Sequence, residues 1–135
     1  MLTQEQLFLV QNKFQTLKEN VLREYVQHLF LSSLYRTSGS QNILFKGGTA
    51  YRIAYKSPRF SEDLDFSAGD ISIKEIEKIM VAVLEDLSNN GLVCDVEESK
   101  GTTGGYLARL FTTFQEKKVP IDIQISLRQN INKNL

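Results

Sequence analysis

The sequence predicts an α+β (mixed α/β) fold, with a mixed β-sheet of about five strands and helices packed mainly on one face. Two long segments carry apolar residues at helical spacing. Shorter segments alternate, or run apolar, as strands do. Their order along the chain (helix, helix, strand, helix, strand, helix, then three strands) implies a mixed sheet.

Thr3 and Gln6 have the capping-box spacing that opens a first helix. Val21, Leu22, Tyr25, Val26, Leu29, Phe30 and Leu34 follow the 3.6-residue period and predict a second helix over Asn20–Tyr35. Thr37–Gln41 is polar with a glycine and reads as a loop. Ile43–Phe45 then reads as a short buried strand, broken by Gly47-Gly48, and Thr49–Tyr55 as a short helix. Leu64 and Phe66 alternate with Asp63 and Asp65, as in a half-buried strand. Ser72 and Glu75 repeat the capping pattern, before a helix with Ile73, Ile76, Ile79, Met80, Val83, Leu84 and Leu87 on one face. Asn90-Gly91 ends that helix. Strands are expected over Leu92–Glu97, Tyr106–Phe114 and Val119–Leu127. The glycine-rich Ser99–Gly105 should form a flexible loop between the first two of these.

A length of 135 residues fits one domain with a modest core, so residues 1–135 read as a single domain. No apolar run is long enough to span a bilayer, and the N-terminus lacks the pattern of a signal peptide, so no membrane partner is expected. The lone Cys94 excludes an intramolecular disulfide and a cysteine-built zinc site, which makes a reducing cytoplasm the default location. With 16 basic and 16 acidic residues, the chain does not grip nucleic acid through bulk charge.

Locally the charges segregate. Lys46, Arg52, Lys56 and Arg59 fall in a stretch without acids, and Glu62, Asp63, Asp65 and Asp70 in the next stretch, without bases. A site for a metal–triphosphate complex needs both signs side by side, although chance surface patterning gives the same arrangement. Asp63 and Asp65 share one strand face, about 6.6 Å apart, and can aim at one small volume. Hard Mg²⁺ or Mn²⁺ favours such oxygen ligands. Ile121-Asp122-Ile123-Gln124-Ile125 alternates strictly, so Asp122 completes a three-carboxylate cluster if its strand lies beside that of Asp63. Both patterns also fit ordinary solvated strand faces.

Gly47 and Gly48 let a phosphate approach the main chain, and the helix expected after them offers free N–H groups and a positive dipole end. Thr49 adds a hydroxyl. No GK[ST] follows, so this is not a P-loop. A tight strand-to-helix turn is the structural alternative. Lys46, Arg52 and Arg59 can meet phosphate oxygens or face solvent, and Ser61 can cap the DLD segment or bond a phosphate. His28, the only histidine, suits a helix surface or packing position, and Cys94 suits the core. Arg109 can point into the cleft or into solvent.

The glycine turn, the D-x-D strand and the later aspartate together resemble the polymerase-beta-type nucleotidyltransferase fold. Lys46–Ala50 and the unbroken Arg59–Phe66 more closely resemble the KGGTAL-like and RFSEDLDF-like segments of the AbiEii/AbiGii toxin family, with Tyr51 where leucine is common. The resemblance implies Mg²⁺- or Mn²⁺-dependent transfer of a nucleoside monophosphate from an NTP to an acceptor hydroxyl, with tRNA or another RNA as acceptor. It implies a role as the toxin of a toxin–antitoxin or phage abortive-infection system, with a cognate antitoxin. Asp63, Asp65 and Asp122 would hold metal, with Asp122 helping to activate the attacking hydroxyl, while Gly47, Gly48 and Thr49 would seat the triphosphate.

Members of that family continue past the third carboxylate into a helical C-terminal region. This chain stops soon after Asp122, so the expectation is a nucleotidyltransferase-like domain lacking that region. An apolar face left by the missing helices would invite self-association into a homo-oligomer. Two alternatives stand beside the transferase: a catalytically incomplete domain that binds a nucleotide or partner protein, and a Mg²⁺-dependent phosphohydrolase using similar carboxylates.

Overall fold

The computed structural model describes residues 3–6, 8–9, 18–47, 63–114 and 116–127. Residues 4–6 and 8–9 are helical, and the opening capping box is present in full. The Gln6 amide donates to Thr3 Oγ1 at 3.1 Å, and the Thr3 amide donates to Gln6 Oε1 at 3.0 Å. Helix α1 spans Lys18–Arg36, and a 3₁₀ turn at Ser40–Asn42 leads into strand β1, Ile43–Lys46. Strand β2 is Asp63–Ala68, helix α2 is Ile73–Asn89, and strands β3, β4 and β5 are Cys94–Thr102, Gly105–Phe114 and Lys117–Leu127. Among the described residues no helix is long and apolar enough to cross a membrane.

The strands form one sheet in the order β1-β2-β5-β4-β3. Only β2 and β5 run parallel; the other neighbours are antiparallel. Leu64, Phe66 and Ala68 of β2, Ile121, Ile123 and Ile125 of β5, and Ala108 and Leu110 of β4 are buried. They pack with Val26, Phe30 and Leu34 of α1 and Ile76, Met80 and Val83 of α2 in a single core. Both helices therefore cover one face of the sheet, and the alternate residues of the strands are left on the other. Cys94 packs half-buried against this core, and burial pushes its thiol pKa up. His28 lies on the exposed side of α1, within 4.0 Å of Glu24.

Helix α2 begins and ends at the residues its sequence marks. Ser72 Oγ accepts the Glu75 amide at 3.1 Å. At the other end, Gly91 sits at φ 92°, Leu92 N–H bonds Leu87 O at 2.9 Å and Gly91 N–H bonds Ser88 O at 3.1 Å. This is a Schellman motif closed by the buried pair Leu87 and Leu92. The two helices are tied by Asp86, whose Oδ2 accepts Ser33 Oγ at 2.6 Å and Arg36 Nη2 at 2.7 Å. Those two donors hold its carboxyl pKa below the ordinary value.

The expected loop Ser99–Gly105 is mostly strand. β3 continues to Thr102, which pairs with Gly105 across the two-residue turn Thr103-Gly104. Glycine suits this place because β4 approaches β5 closely here: a Cβ on Gly105 would run into the Ile125 carbonyl oxygen. Pairing with β4 outweighs the glycine-rich local signal. Among the described residues β2 pairs with β5 from Asp122 onward, and Pro120 is in register with Phe111 of β4.

Ile123→Ala should cost about 2–5 kcal/mol in urea denaturation, since it opens a cavity in the middle of the core. Asp86, with a depressed folded pKa, contributes stability that is complete above the ordinary carboxylate value of about 4 and is lost as pH falls through the lower folded value. Asp86→Asn should therefore be less stable at neutral pH and show a flatter loss of stability below about pH 4.

Candidate active site

The carboxylates lie on the sheet face opposite the helices. Leu64 and Phe66 point into the core, so Asp63 and Asp65 point the other way. On β5 the buried isoleucines likewise leave Asp122 and Gln124 on the outer face. The parallel register makes Asp63 the partner of Asp122 and Asp65 the partner of Gln124. Paired residues on neighbouring strands share a face about 4.8 Å apart, so residues 59 positions apart in sequence become neighbours.

β1 supplies the next part. Lys46 is the register partner of Asp65, which puts both on the outer face. Gly47 follows at φ 87°, a region that L side chains rarely occupy. A Cβ there would stand 2.7 Å from Asp65 Oδ2 and 3.0 Å from its Cβ. The position thus needs glycine both for its backbone and for the carboxylate lying against it. Gly48, Thr49, Arg59 and Ser61 lie outside the described residues, as does the short helix expected over Thr49–Tyr55.

β4 contributes Arg109, which the sequence left open between cleft and solvent. It pairs in register with Asp122, and its guanidinium forks onto that carboxylate, Nε to Oδ1 at 2.6 Å and Nη2 to Oδ2 at 3.3 Å. This contact, the largest influence on Arg109, raises its pKa further. Glu98 of β3 is the next residue in the row, opposite Arg109. Its carboxyl pKa is lowered chiefly by Lys100, whose Nζ is 2.8 Å away, and by the charge of Arg109. Ser67 is a further outer-face residue that the sequence did not single out. It lies two positions beyond Asp65 and is buried, and its hydroxyl has no hydrogen-bond partner among the described residues. Strand alternation marks Arg109 and could have flagged Ser67, but only the register reveals their neighbours.

The donor set suits a hard divalent cation: oxygen ligands, two of them in register, beside a cradle that any Cβ at position 47 would fill. As the side chains stand, no group of three or more His, Cys, Asp or Glu among the described residues is gathered closely enough to hold an ion. Asp122 is engaged by Arg109 instead. Gly47→Ala should push the Asp65 carboxylate aside and strain the backbone, lowering stability by about 1 kcal/mol or more. The melting temperature should fall with it, more than in Gly104→Ala, where a Cβ meets open space.

No curated protein matches the chain. Among solved structures, it is similar to a protein of H. pylori provisionally assigned as a nucleotidyltransferase, with a TM-score of 0.58 and 24% identity, over 88% of this chain and 50% of that one. It is also similar to JHP933 from Helicobacter pylori, with a TM-score of 0.54 and 24% identity, over 85% of this chain and 47% of that one. At this identity the likeness establishes the fold, and the chain spans about half the length of these structures. Residues 29–134 match the family described as nucleotidyl transferase AbiEii toxin, type IV TA system, and the chain belongs to that family.

Proposed function

We propose that this domain transfers a nucleoside monophosphate from an NTP to an acceptor hydroxyl, as the catalytic part of a toxin with a cognate antitoxin. The observation that carries this reading is the register pairing of Asp63 with Asp122, with Asp65 two residues on and lying against Gly47. In this reading Asp63, Asp65 and Asp122 hold Mg²⁺ or Mn²⁺. A bound divalent ion would supply charge stabilisation at the α-phosphate and on the departing pyrophosphate. Lys46 and Gly47, with Gly48, Thr49, Arg59 and Ser61, seat the triphosphate. Asp122 takes the proton of the acceptor hydroxyl as its oxygen attacks the α-phosphorus and the bond to the pyrophosphate breaks. With no net charge to grip a polyanion, recognition of a tRNA or other RNA acceptor falls to the local basic residues, Lys46 and Arg59 among them.

A domain that binds nucleotide without turnover is the second reading. The Arg109 fork favours it, since the residue assigned to the proton is already engaged. Incubation with labelled NTPs, Mg²⁺ and total tRNA separates the two. Transfer predicts labelled RNA that Asp63→Asn reduces to background. Nucleotide binding by calorimetry with no labelling supports the second reading, and equal labelling by the variant removes Asp63 from the mechanism.

A further inference from the structure

Resting on the reading of Asp63, Asp65 and Asp122 as cation ligands, we infer that Arg109 is a positioning residue that exchanges carboxylate partners. It holds Asp122 until a divalent cation claims that carboxylate, and then turns its charge to Glu98.

The sheet register lines up four charged residues across the outer face, in the order Glu98, Arg109, Asp122, Asp63. Among the described residues of that row Arg109 is the only cation, and it has a carboxylate on either side. Its present partner is Asp122, both of whose oxygens it engages. Asp122 and Asp63 carry like charge in register, and the guanidinium offsets that of Asp122. The same fork withholds the Asp122 oxygens from a metal. A guanidinium does not lose its proton in this role, so it must be displaced rather than titrated.

Displacement is cheap where the pair is wet and a second partner is at hand. The Arg109 side chain is 52% exposed and that of Asp122 is 27% exposed, so the fork is not locked by burial. Glu98 is the second partner. A β-bulge between Val96 and Glu98 sets which of two adjacent glutamates faces Arg109. It aligns Glu98 with Arg109 in register, while Glu97, 3.9 Å from Lys118, bears on Arg109 by charge alone. Lys100 shares Glu98, so that carboxylate is already held on the face where Arg109 would arrive.

Mn²⁺ binding to the nucleotide-free chain, followed by electron paramagnetic resonance, tests the exchange without relying on activity. Arg109→Gln should tighten Mn²⁺ about two- to fivefold, the range expected for removing one exposed competing ion pair. Arg109→Lys, which keeps the charge and loses the fork, should fall between that variant and the wild type. Glu98→Gln should weaken Mn²⁺ because Arg109 then loses the carboxylate in register with it, and this weakening should vanish in the Glu98→Gln/Arg109→Gln double variant. Equal or weaker Mn²⁺ affinity in a folded Arg109→Gln variant overturns the exchange, as does a Glu98→Gln effect that persists undiminished in the double variant. Asp63→Asn and Asp65→Asn report on the underlying reading separately. If they weaken Mn²⁺, the ligand assignment stands whatever Arg109 does. If they bind it like the wild type, the assignment fails and takes the exchange with it.

Discussion

The pairing of β2 with β5 is the constraint on which the rest of this structure depends. It is the one parallel contact in an otherwise antiparallel sheet, and it joins segments separated by a helix and two strands. On one face it stacks Leu64 and Phe66 beside Ile123 and Ile125, all buried. On the other face it brings Asp63 beside Asp122. A slip of one residue would move the isoleucines out of the core and the aspartates into it. The free energy of apolar burial therefore holds the acidic residues in place, although none of them contributes to the core. Two carboxylates in register repel, and the core on the far face keeps them together.

The helices play their part from that far face. Asp86 ties α1 to α2 through Ser33 and Arg36, and the caps at Ser72 and Gly91 define where α2 starts and stops. Both helices lie on one side, and the described residues of the outer face include the charged Asp63, Asp65, Arg109 and Asp122. The row from Glu98 through Arg109 and Asp122 to Asp63 crosses four strands; Arg109, Asp122 and Asp63 reach it by the alternation that buries their neighbours, and Glu98 by the bulge in β3. Gly47 adds the fifth strand by allowing the β1 backbone to close on Asp65.

The chemistry this face supports follows from what is placed next to what. An acidic pair in register, a third carboxylate two residues on and a backbone cradle against it suit a site where charge is gathered and later neutralised. Arg109 offsets the charge of Asp122 in the present state, and any ligand that needs Asp122 has to compete with it. The family match agrees with nucleotidyl transfer as the class of chemistry, and the solved structures agree with the fold.

Much of this was legible in the residues themselves. Periodicity marked α1, α2 and most of the buried positions, because the 3.6-residue and two-residue repeats record which face a core will claim, although Leu44 of the strand expected to be buried is exposed. Capping chemistry is local, so Thr3 with Gln6 and Ser72 with Glu75 could be read from side-chain type and spacing alone. Local signals misjudged Ser99–Gly105, where strand pairing extends β3 through residues that resemble a loop. The sequence by itself determined that Asp63, Asp65 and Asp122 share the polar side of their strands, since alternation is a property of each strand alone. Only the tertiary structure decided that β2 and β5 are neighbours, that Asp63 meets Asp122, and that Arg109 reaches Asp122 first. Register between distant strands is set by the packing of the whole core, and no single segment carries that information.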